Sequence, residues 1–508
     1  MTRLTRNVIY NTAGQAAILV ISVVAVRYIF RGLGDDAFGI IVFNLILTTV
    51  LSSALELGIS ATIVRQVSSH FETDRDYVRD LVRTASLLYW GFGALLFVVI
   101  LIAAPFLVTQ WVNLRSMDAG TAATMLRILS VTSLVTLPKV LYASVFRGRQ
   151  RMELNNAIDV GTALLQQAGI VVLVLTGSTA YPVAAWISAS ATLGIIAYVL
   201  VAARVTGWRS LVPALSTTVI RRNIGFTGHM MVISATSLVQ SQAPQVIVSK
   251  LLPIVQFGYY GFVASTVNRA TLAANAVAQA AFPSLSGLFA AGDRPGLLRQ
   301  YTKLQDLVCY STLPLFTAIT FAALPVYAYV FNSSAAQELL LPTAFLCLGT
   351  WMNATISIPY MLSVAIGKPE IASRLNVYAL FVVLPVTVVL ILLFGLPGAA
   401  FSWVVYHLFA YAYMVPRVAR EGLEWPVLGW YVHTAKVLAL GVLTYGVAWL
   451  ALTFVGVFSL PAVVLAYLIG SIAFGAGAYL MIGPDLRETI RRLPGSLPLP
   501  RRAGALQR

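Results

Sequence analysis

The chain has 508 residues, of which 59% are hydrophobic and 10% are charged, and its formal net charge is +16 at pH 7. Soluble domains carry about 25% charged residues, so this composition excludes a soluble globular protein and predicts an all-α protein that crosses a membrane many times. The basic residues lie between the apolar stretches, where they act as topology signals, and we expect no nucleic-acid partner. Cys309 and Cys347 each stand alone in an apolar run and predict neither a disulfide nor a zinc site.

The chain opens with two apolar runs, within residues 7–66, that are joined by the short polar turn RGLGDD. Each run is long enough to cross a bilayer, which takes about 20 helical residues. Gly32 and Gly34 permit the turn, and Asp35 and Asp36 are expected to cap the first N–H groups of the second helix. This segment therefore predicts a transmembrane hairpin.

The same hairpin carries a series of short motifs. They are Asn7 and Asn11, Arg31-Gly32-Leu33-Gly34, Phe38-Gly39, Glu56-Leu57-Gly58 and Arg65. In order and spacing they resemble the start of prokaryotic oligosaccharide flippases, which belong to the MOP exporter superfamily with multidrug and toxin extrusion (MATE) pumps and peptidoglycan-precursor flippases. The resemblance implies two pseudo-symmetric six-helix lobes around a central cavity, with two further helices at the C-terminal end.

Three later stretches lack Asp, Glu, Lys and Arg: Val160–Ala203, Leu375–Pro416 and Val437–Pro484. Each is long enough for two membrane spans and has a turn signal near its middle, so each predicts a helical hairpin. Arginines and lysines flank the hairpin ends, which the positive-inside rule places in the cytoplasm. Extending this pattern gives about fourteen spans with both termini cytoplasmic.

An internal repeat divides the chain. Arg6-Asn7-Val8-Ile9-Tyr10 returns as Arg222-Asn223-Ile224-Gly225-Phe226, and Phe38-Gly39 returns as Phe257-Gly258. Both copies begin a span from the same side, so the repeat predicts two parallel bundles facing a cavity, as in alternating-access transporters. The predicted domains are an N-terminal lobe at 1–210, a C-terminal lobe at 211–425, two further helices at 426–484 and a basic cytoplasmic tail at 485–508.

Polar side chains inside spans are costly unless they face a cavity or a partner. Asn44, Thr48, Ser52 and Glu56 recur every four residues and therefore share one face of the second span. Asn268 and Gln279 lie on the polar side of the eighth. Such residues either join helices by hydrogen bonds or line a cavity, and for Asn44 and Gln279 the pattern leaves both alternatives open.

Arg269 is the deepest charge, about 18 Å along the eighth span, and we expect it to face a cavity. Arg27, Arg127 and Lys139 are further candidate cavity cations. Arg31 is either a turn anchor or a ligand contact, and Glu56 either forms an ion pair or takes part in ion coupling. A cationic cavity suits a diphosphate, because Arg binds phosphate through two parallel hydrogen bonds.

The resemblance and the cationic cavity together predict a transporter that flips polyprenyl-diphosphate-linked oligosaccharide across the cytoplasmic membrane of a bacterium or archaeon, for cell-surface polysaccharide biosynthesis. The alternatives are a MATE-like ion-coupled exporter of small molecules or drugs and a membrane glycosyltransferase or polymerase. No phosphate-binding loop or nucleophile motif is present, so we expect neither an enzyme nor a cofactor.

Membrane lipids are expected partners. Coupling to H+ or Na+ stays open, as does association with a polysaccharide polymerase or glycosyltransferases. Related sequences often have an Asp in the seventh span where this chain has Gln242-Ala243-Pro244-Gln245, which puts cation coupling at that point in doubt.

Overall fold

We describe the fold from a computed structural model, which describes residues 21–56 and 58–488, without the side chains of several positions between 225 and 283. The motif residues Asn7 and Asn11 and most of the predicted basic tail lie outside the described residues. Within the described ranges the protein is built from helices, and the one strand-like pairing is an isolated bridge between Asn113 and Pro253. The predicted all-α membrane architecture is therefore confirmed.

The helices follow one another with short connections. In the first half they are α1 (described over 21–33), α2 (Asp35–Glu56), α3 (Ile59–His70), α4 (Arg75–Phe106), α5 (Ala119–Leu129), α6 (Val131–Gly148), α7 (Met152–Leu175) and α8 (Ala180–Thr206). In the second half they are α9 (Thr217–Leu251), α10 (Ile254–Ala290), α11 (Arg294–Val330), α12 (Ser333–Ala365), α13 (Glu370–Val418), α14 (Val427–Gly441), α15 (Val447–Val455) and α16 (Leu460–Met481).

Ten helical segments in the described part of the chain are long and apolar enough to cross a membrane. One of them, Glu370–Leu423, has 54 residues, which is enough for two crossings at about 20 residues each. The helix α13 within it breaks at Gly395, whose φ of 61° lies in the left-handed region that favours glycine. This is the turn predicted in the middle of Leu375–Pro416. The total of fourteen spans stays a prediction.

The chain divides into two compact units. The first contains the chain up to Arg269 together with Tyr327–Pro342 and Asn376–Ser402, and the second contains Ala270–Val326, Thr343–Leu375 and the chain from Trp403 onward. The two six-helix lobes and the domain boundaries expected from the repeat stay predictions.

In the first unit, α6 packs closely against both α4 and α8, and α7 pairs with α8. Large side chains fill these contacts: the rings of Phe146 and Tyr198 stack with centroids 5.9 Å apart, and both residues are almost fully buried. Burying an aromatic side chain removes roughly 150–250 Å² of surface area from solvent, so aromatic residues dominate the packing energy. This bundle places α2, α6, α7 and α8 around a common interior.

Asp36 has a role different from the predicted helix cap. Its Oδ2 accepts hydrogen bonds from the backbone N–H groups of Arg115, Ser116 and Met117, at 2.9, 2.7 and 2.8 Å. The carboxylate is buried and lies at the start of α2, whereas the three donors belong to the loop between α4 and α5. Asp36 therefore fixes a loop of a different hairpin, which sequence neighbours alone do not indicate.

In the second unit, Asp306 of α11 joins three elements. Its Oδ2 accepts a hydrogen bond from the backbone N–H of Gly483, just after α16, at 2.9 Å. Its Oδ1 lies 3.1 Å from Nε2 of His433 in α14. Both side chains are largely buried, so Asp306 ties α14 and the end of α16 to α11.

Candidate functional site

The polar face predicted for the second span lies in the interior of the first unit. Asn44, Thr48 and Ser52 are 4%, 4% and 5% exposed, respectively. Asn44 donates from Nδ2 to the Thr132 hydroxyl at 3.0 Å, but its Oδ1, the Thr48 hydroxyl and the Ser52 hydroxyl have no hydrogen-bond partner among the described residues. A buried polar atom without a partner costs about 1–3 kcal/mol. Unlike the Asn44 amide nitrogen, these oxygens do not join α2 to a neighbouring helix.

Two of these residues, Asn44 and Thr48, line a cavity of about 260 Å³. Its walls come from α2, the last residue of α5, α6, α7 and α8, all in the first unit. The polar lining consists of Asn44, Thr48, Thr49, Thr132, Thr136, Lys139, Asp159, Thr162, Gln166 and Tyr198. We call this space the α2–α8 cavity. It brings together two of the residues predicted from sequence, Asn44 and Lys139.

Lys139 is not a free cation in this cavity. Its Nζ lies 2.8 Å from Oδ1 of Asp159, and the Tyr198 hydroxyl donates to the same oxygen at 3.0 Å. The ammonium also lies 5.8 Å from the centroid of the Tyr198 ring. The carboxylate balances the lysine charge, so this part of the cavity is close to neutral rather than cationic. Lys139 therefore lies in a cavity, as predicted, but as one half of an ion pair, and its role in binding substrate stays a prediction.

Asp159 is the functional candidate that sequence reasoning missed. Lys139 precedes Arg147 by eight positions, and Asp159 follows Arg151 by eight positions. A helix rises 1.5 Å per residue, so the two charges lie at a similar depth, about 12 Å, on either side of one turn. The sequence could have indicated this ion pair, because it places opposite charges at equal depth in two consecutive helices.

Arg269 lies in α10 and is the last residue of the first unit. Its side chain is half-buried, and its Nη1 is buried with no hydrogen-bond partner in the part of the chain that the structure describes. An arginine is always charged and has five N–H donors. A guanidinium nitrogen without a partner among the described residues can donate a hydrogen bond to an anion.

Two of the other predicted cations, Arg27 and Arg127, contact a backbone carbonyl. Arg27 stacks on the ring of Tyr329, 3.8 Å from its centroid, and donates to the Tyr329 carbonyl. Arg127 is exposed and its Nε donates to the Leu101 carbonyl at 3.4 Å, and Arg31 is also exposed. These three residues do not line the α2–α8 cavity.

The remaining sequence candidates are dispersed. Asn268 is exposed, Glu56 is half-buried at the end of α2, and the side chain of Gln279 is not among those described. Across the described residues, no group of three His, Cys, Asp or Glu side chains is placed to hold a metal ion.

Comparison with known proteins agrees with this architecture. The chain is 20% identical over 407 residues to a putative O-antigen transporter of Shigella flexneri, covering 78% of this chain and 93% of that protein. Its fold is similar to the lipid II flippase MurJ in an inward closed conformation, with 14% identity, coverage of 96% of this chain and 100% of that one, and a TM-score of 0.67.

The fold is also similar to an inward-facing multidrug resistance MATE transporter of the MOP superfamily, with 11% identity, coverage of 81% and 98% of the two chains and a TM-score of 0.65. Residues 4–289, more than half of the chain, match a family described as polysaccharide biosynthesis protein. The resemblance seen in the first hairpin is confirmed, and the chain belongs to the polysaccharide biosynthesis protein family.

Proposed function

We propose that the protein is a flippase that moves polyprenyl-diphosphate-linked oligosaccharide across the cytoplasmic membrane by alternating access. Family membership supports a role in making polysaccharide, and the relative named as a putative O-antigen transporter supports transport of a glycan. The fold is shared with a flippase of a lipid-linked substrate. The observation that carries the proposal within this chain is the buried Nη1 of Arg269, which has no hydrogen-bond partner among the described residues.

A diphosphate is the ligand chemistry that best fits Arg269. A charged side chain within a membrane span costs several kcal/mol (about 2.5–3.5 on insertion scales) unless water or a counter-charge compensates. The diphosphate of a lipid-linked glycan offers that counter-charge, and the planar guanidinium can bind two of its oxygens at once. The cost of burying Arg269 would then be offset when the substrate is bound.

The shared MATE fold keeps a small-molecule exporter as the second candidate. A pump for cationic compounds requires an acidic group free to bind the cation. Two acids inside the described spans already have close contacts: Asp159 with Lys139, and Asp306 with His433 and the Gly483 N–H. Both arrangements weaken the case for a cationic substrate.

Under this proposal the protein lies in the cytoplasmic membrane of a bacterium or archaeon, with both termini in the cytoplasm and lipids around its spans. The driving ion, H+ or Na+, and any association with a polymerase or glycosyltransferases are open parts of the proposal. Neither changes the role assigned to Arg269.

The test compares Arg269→Ala and Arg269→Lys with the wild type, each expressed in cells from which the gene for this protein has been deleted. We expect the Ala variant to lose glycan export while it remains in the membrane at the wild-type level. The Lys variant should recover part of the export, since it retains the positive charge but lacks the planar guanidinium group that binds two oxygens at once. Membrane level and thermal unfolding midpoint are measured alongside export.

Normal glycan export by a well-expressed Arg269→Ala protein would remove Arg269 from the site. Purified wild-type protein in vesicles is also tested with a cationic dye. Dye transport together with normal surface glycan in cells that lack the protein would establish the exporter alternative and refute the flippase proposal.

A further inference from the structure

We infer that the α2–α8 cavity is a subsite for one sugar ring of the glycan, separate in chemistry from the anion site at Arg269. This inference rests on the proposed function, since it assumes that a glycan enters the protein. It is carried by the size of the cavity, by the polar side chains of its lining and by the neutral charge balance of that lining.

The size of the cavity suits an occupant larger than a bare ion and no larger than a small organic ring. Its volume of about 260 Å³ equals that of eight or nine waters at roughly 30 Å³ each. A bare ion would leave most of that space empty, and drug-sized ligands occupy pockets of about 300–1,000 Å³. A single pyranose ring, with its hydroxyl groups, is the part of a lipid-linked oligosaccharide that fits this volume.

The lining offers the mixture of acceptors and donors that a ring with several hydroxyls requires. The Asn44 Oδ1 and the Thr48 hydroxyl are buried and have no partner within the described ranges, although both residues line the cavity. An amide oxygen only accepts, so it needs a donor, which a sugar hydroxyl supplies. The Thr48 hydroxyl both donates and accepts, which matches the dual character of a sugar hydroxyl.

The charge balance argues against a phosphate at this position. Lys139 is the cation in the lining, and Asp159 lies 2.8 Å from it. A phosphate brought beside Lys139 would also meet the Asp159 carboxylate, and like charges repel. The remaining polar lining is uncharged: threonines, an asparagine, a glutamine and a tyrosine. This composition favours the binding of neutral hydroxyl groups in the cavity, whereas Arg269 favours the binding of an anion.

The test uses the purified full-length protein in lipid nanodiscs and two probes. One probe is a polyprenyl diphosphate that carries an N-acetylglucosamine disaccharide, and the other is the same polyprenyl diphosphate without sugar. Thr48→Val removes the hydroxyl with little change of shape, and Thr48→Ser keeps it. Ser52→Ala is the matched control, because Ser52 lies on the same buried face of α2 but does not line the cavity.

We expect wild-type protein to bind the sugar-bearing probe more tightly than the sugar-free probe. Thr48→Val should weaken binding of the sugar-bearing probe about fivefold, the equivalent of one hydrogen bond of about 1 kcal/mol, and leave the sugar-free probe unaffected. Thr48→Ser and Ser52→Ala should bind both probes as the wild type does.

Equal binding of the two probes by the wild type would overturn the sugar subsite and leave the flippase proposal standing. The same holds if Thr48→Val weakens both probes equally, or neither. The proposed function fails by a different result: no binding of either diphosphate probe by the wild type, together with normal glycan export by Arg269→Ala.

Discussion

Gly39 and Gly258, which occupy equivalent positions in the internal repeat, pack directly against each other where α2 meets α10. A Cβ added at Gly258 would lie 3.3 Å from the Gly39 Cα and 2.9 Å from the Phe38 ring. A Cβ added at Gly39 would lie 2.7 Å from the Ile254 carbonyl oxygen. The two Phe-Gly dipeptides thus meet at a contact that has no room for a side chain.

The first prediction follows from this contact. Gly39→Ala should destabilise the protein by about 1–3 kcal/mol, because the added methyl group meets backbone that cannot move aside easily. The measurement is the thermal unfolding midpoint of the purified protein in detergent. Gly91→Ala is the matched control, since Gly91 lies within α4 and has open space around it.

Gly91→Ala should be neutral or slightly stabilising, because alanine is favoured over glycine inside a helix by about 1 kcal/mol. If Gly39→Ala unfolds at the same temperature as Gly91→Ala, the close approach of α2 and α10 is not a constraint on stability.

The second prediction concerns a polar contact between α3 and α9, the helix that carries the second copy of the repeat. The hydroxyls of Thr62 and Thr227 lie 3.0 Å apart, and Gln66 donates from Nε2 to Asn223 Oδ1 at 2.8 Å. If transport requires this contact to open, a disulfide across it should stop export. The Cβ atoms of a disulfide lie about 3.5–4.5 Å apart, a separation compatible with neighbouring hydroxyls.

We expect the Thr62→Cys, Thr227→Cys double variant to lose glycan export after mild oxidation and to regain it after reduction. Each single variant should export normally under both conditions. Cys309 and Cys347 are buried and can stay in place. Unchanged export by a fully cross-linked double variant would show that α3 and α9 stay together throughout the transport cycle.

The third prediction separates two neighbouring carboxylates. Asp36→Ala should destabilise the protein by about 2–4 kcal/mol, because the N–H groups of Arg115, Ser116 and Met117 lose their buried acceptor. Asp35→Ala should cost less than about 0.5 kcal/mol, since Asp35 is exposed. Unfolding midpoints of the two variants give the comparison, and similar values would contradict the role assigned to Asp36.

The fourth prediction concerns Asp306. Asp306→Asn keeps an oxygen that can accept from the Gly483 N–H, whereas Asp306→Ala removes it. The Ala variant should therefore be less stable than the Asn variant by about 1–2 kcal/mol. Glu421→Ala is a suitable control: Glu421 lies 2.7 Å from Lys368 but is about one-third exposed, and exposed ion pairs contribute about 0–1 kcal/mol. Equal stability of the Ala and Asn variants would show that the Gly483 contact contributes little.

Several of these features could be predicted from the sequence. Lipid requires long apolar helices, so the runs around the RGLGDD turn and the charge-free stretch interrupted at Gly395 indicate membrane hairpins without further information. The helical period also places Asn44, Thr48 and Ser52 on one face, and the structure buries all three. The order of short motifs was sufficient to recognise the family.

Which charges are paired depends on how the helices pack in three dimensions. Asp36 reaches donors 79–81 positions away, and Lys139 meets Asp159 across two helices. The period of a helix fixes which residues share a face, but the rotation of that helix against its neighbours depends on how the side chains of all the surrounding helices interdigitate. For the same reason, the sequence predicted Lys139, Arg27 and Arg269 as similar cations. Packing then paired the first with an acid, stacked the second on Tyr329 and left a buried nitrogen of the third without a partner among the described residues.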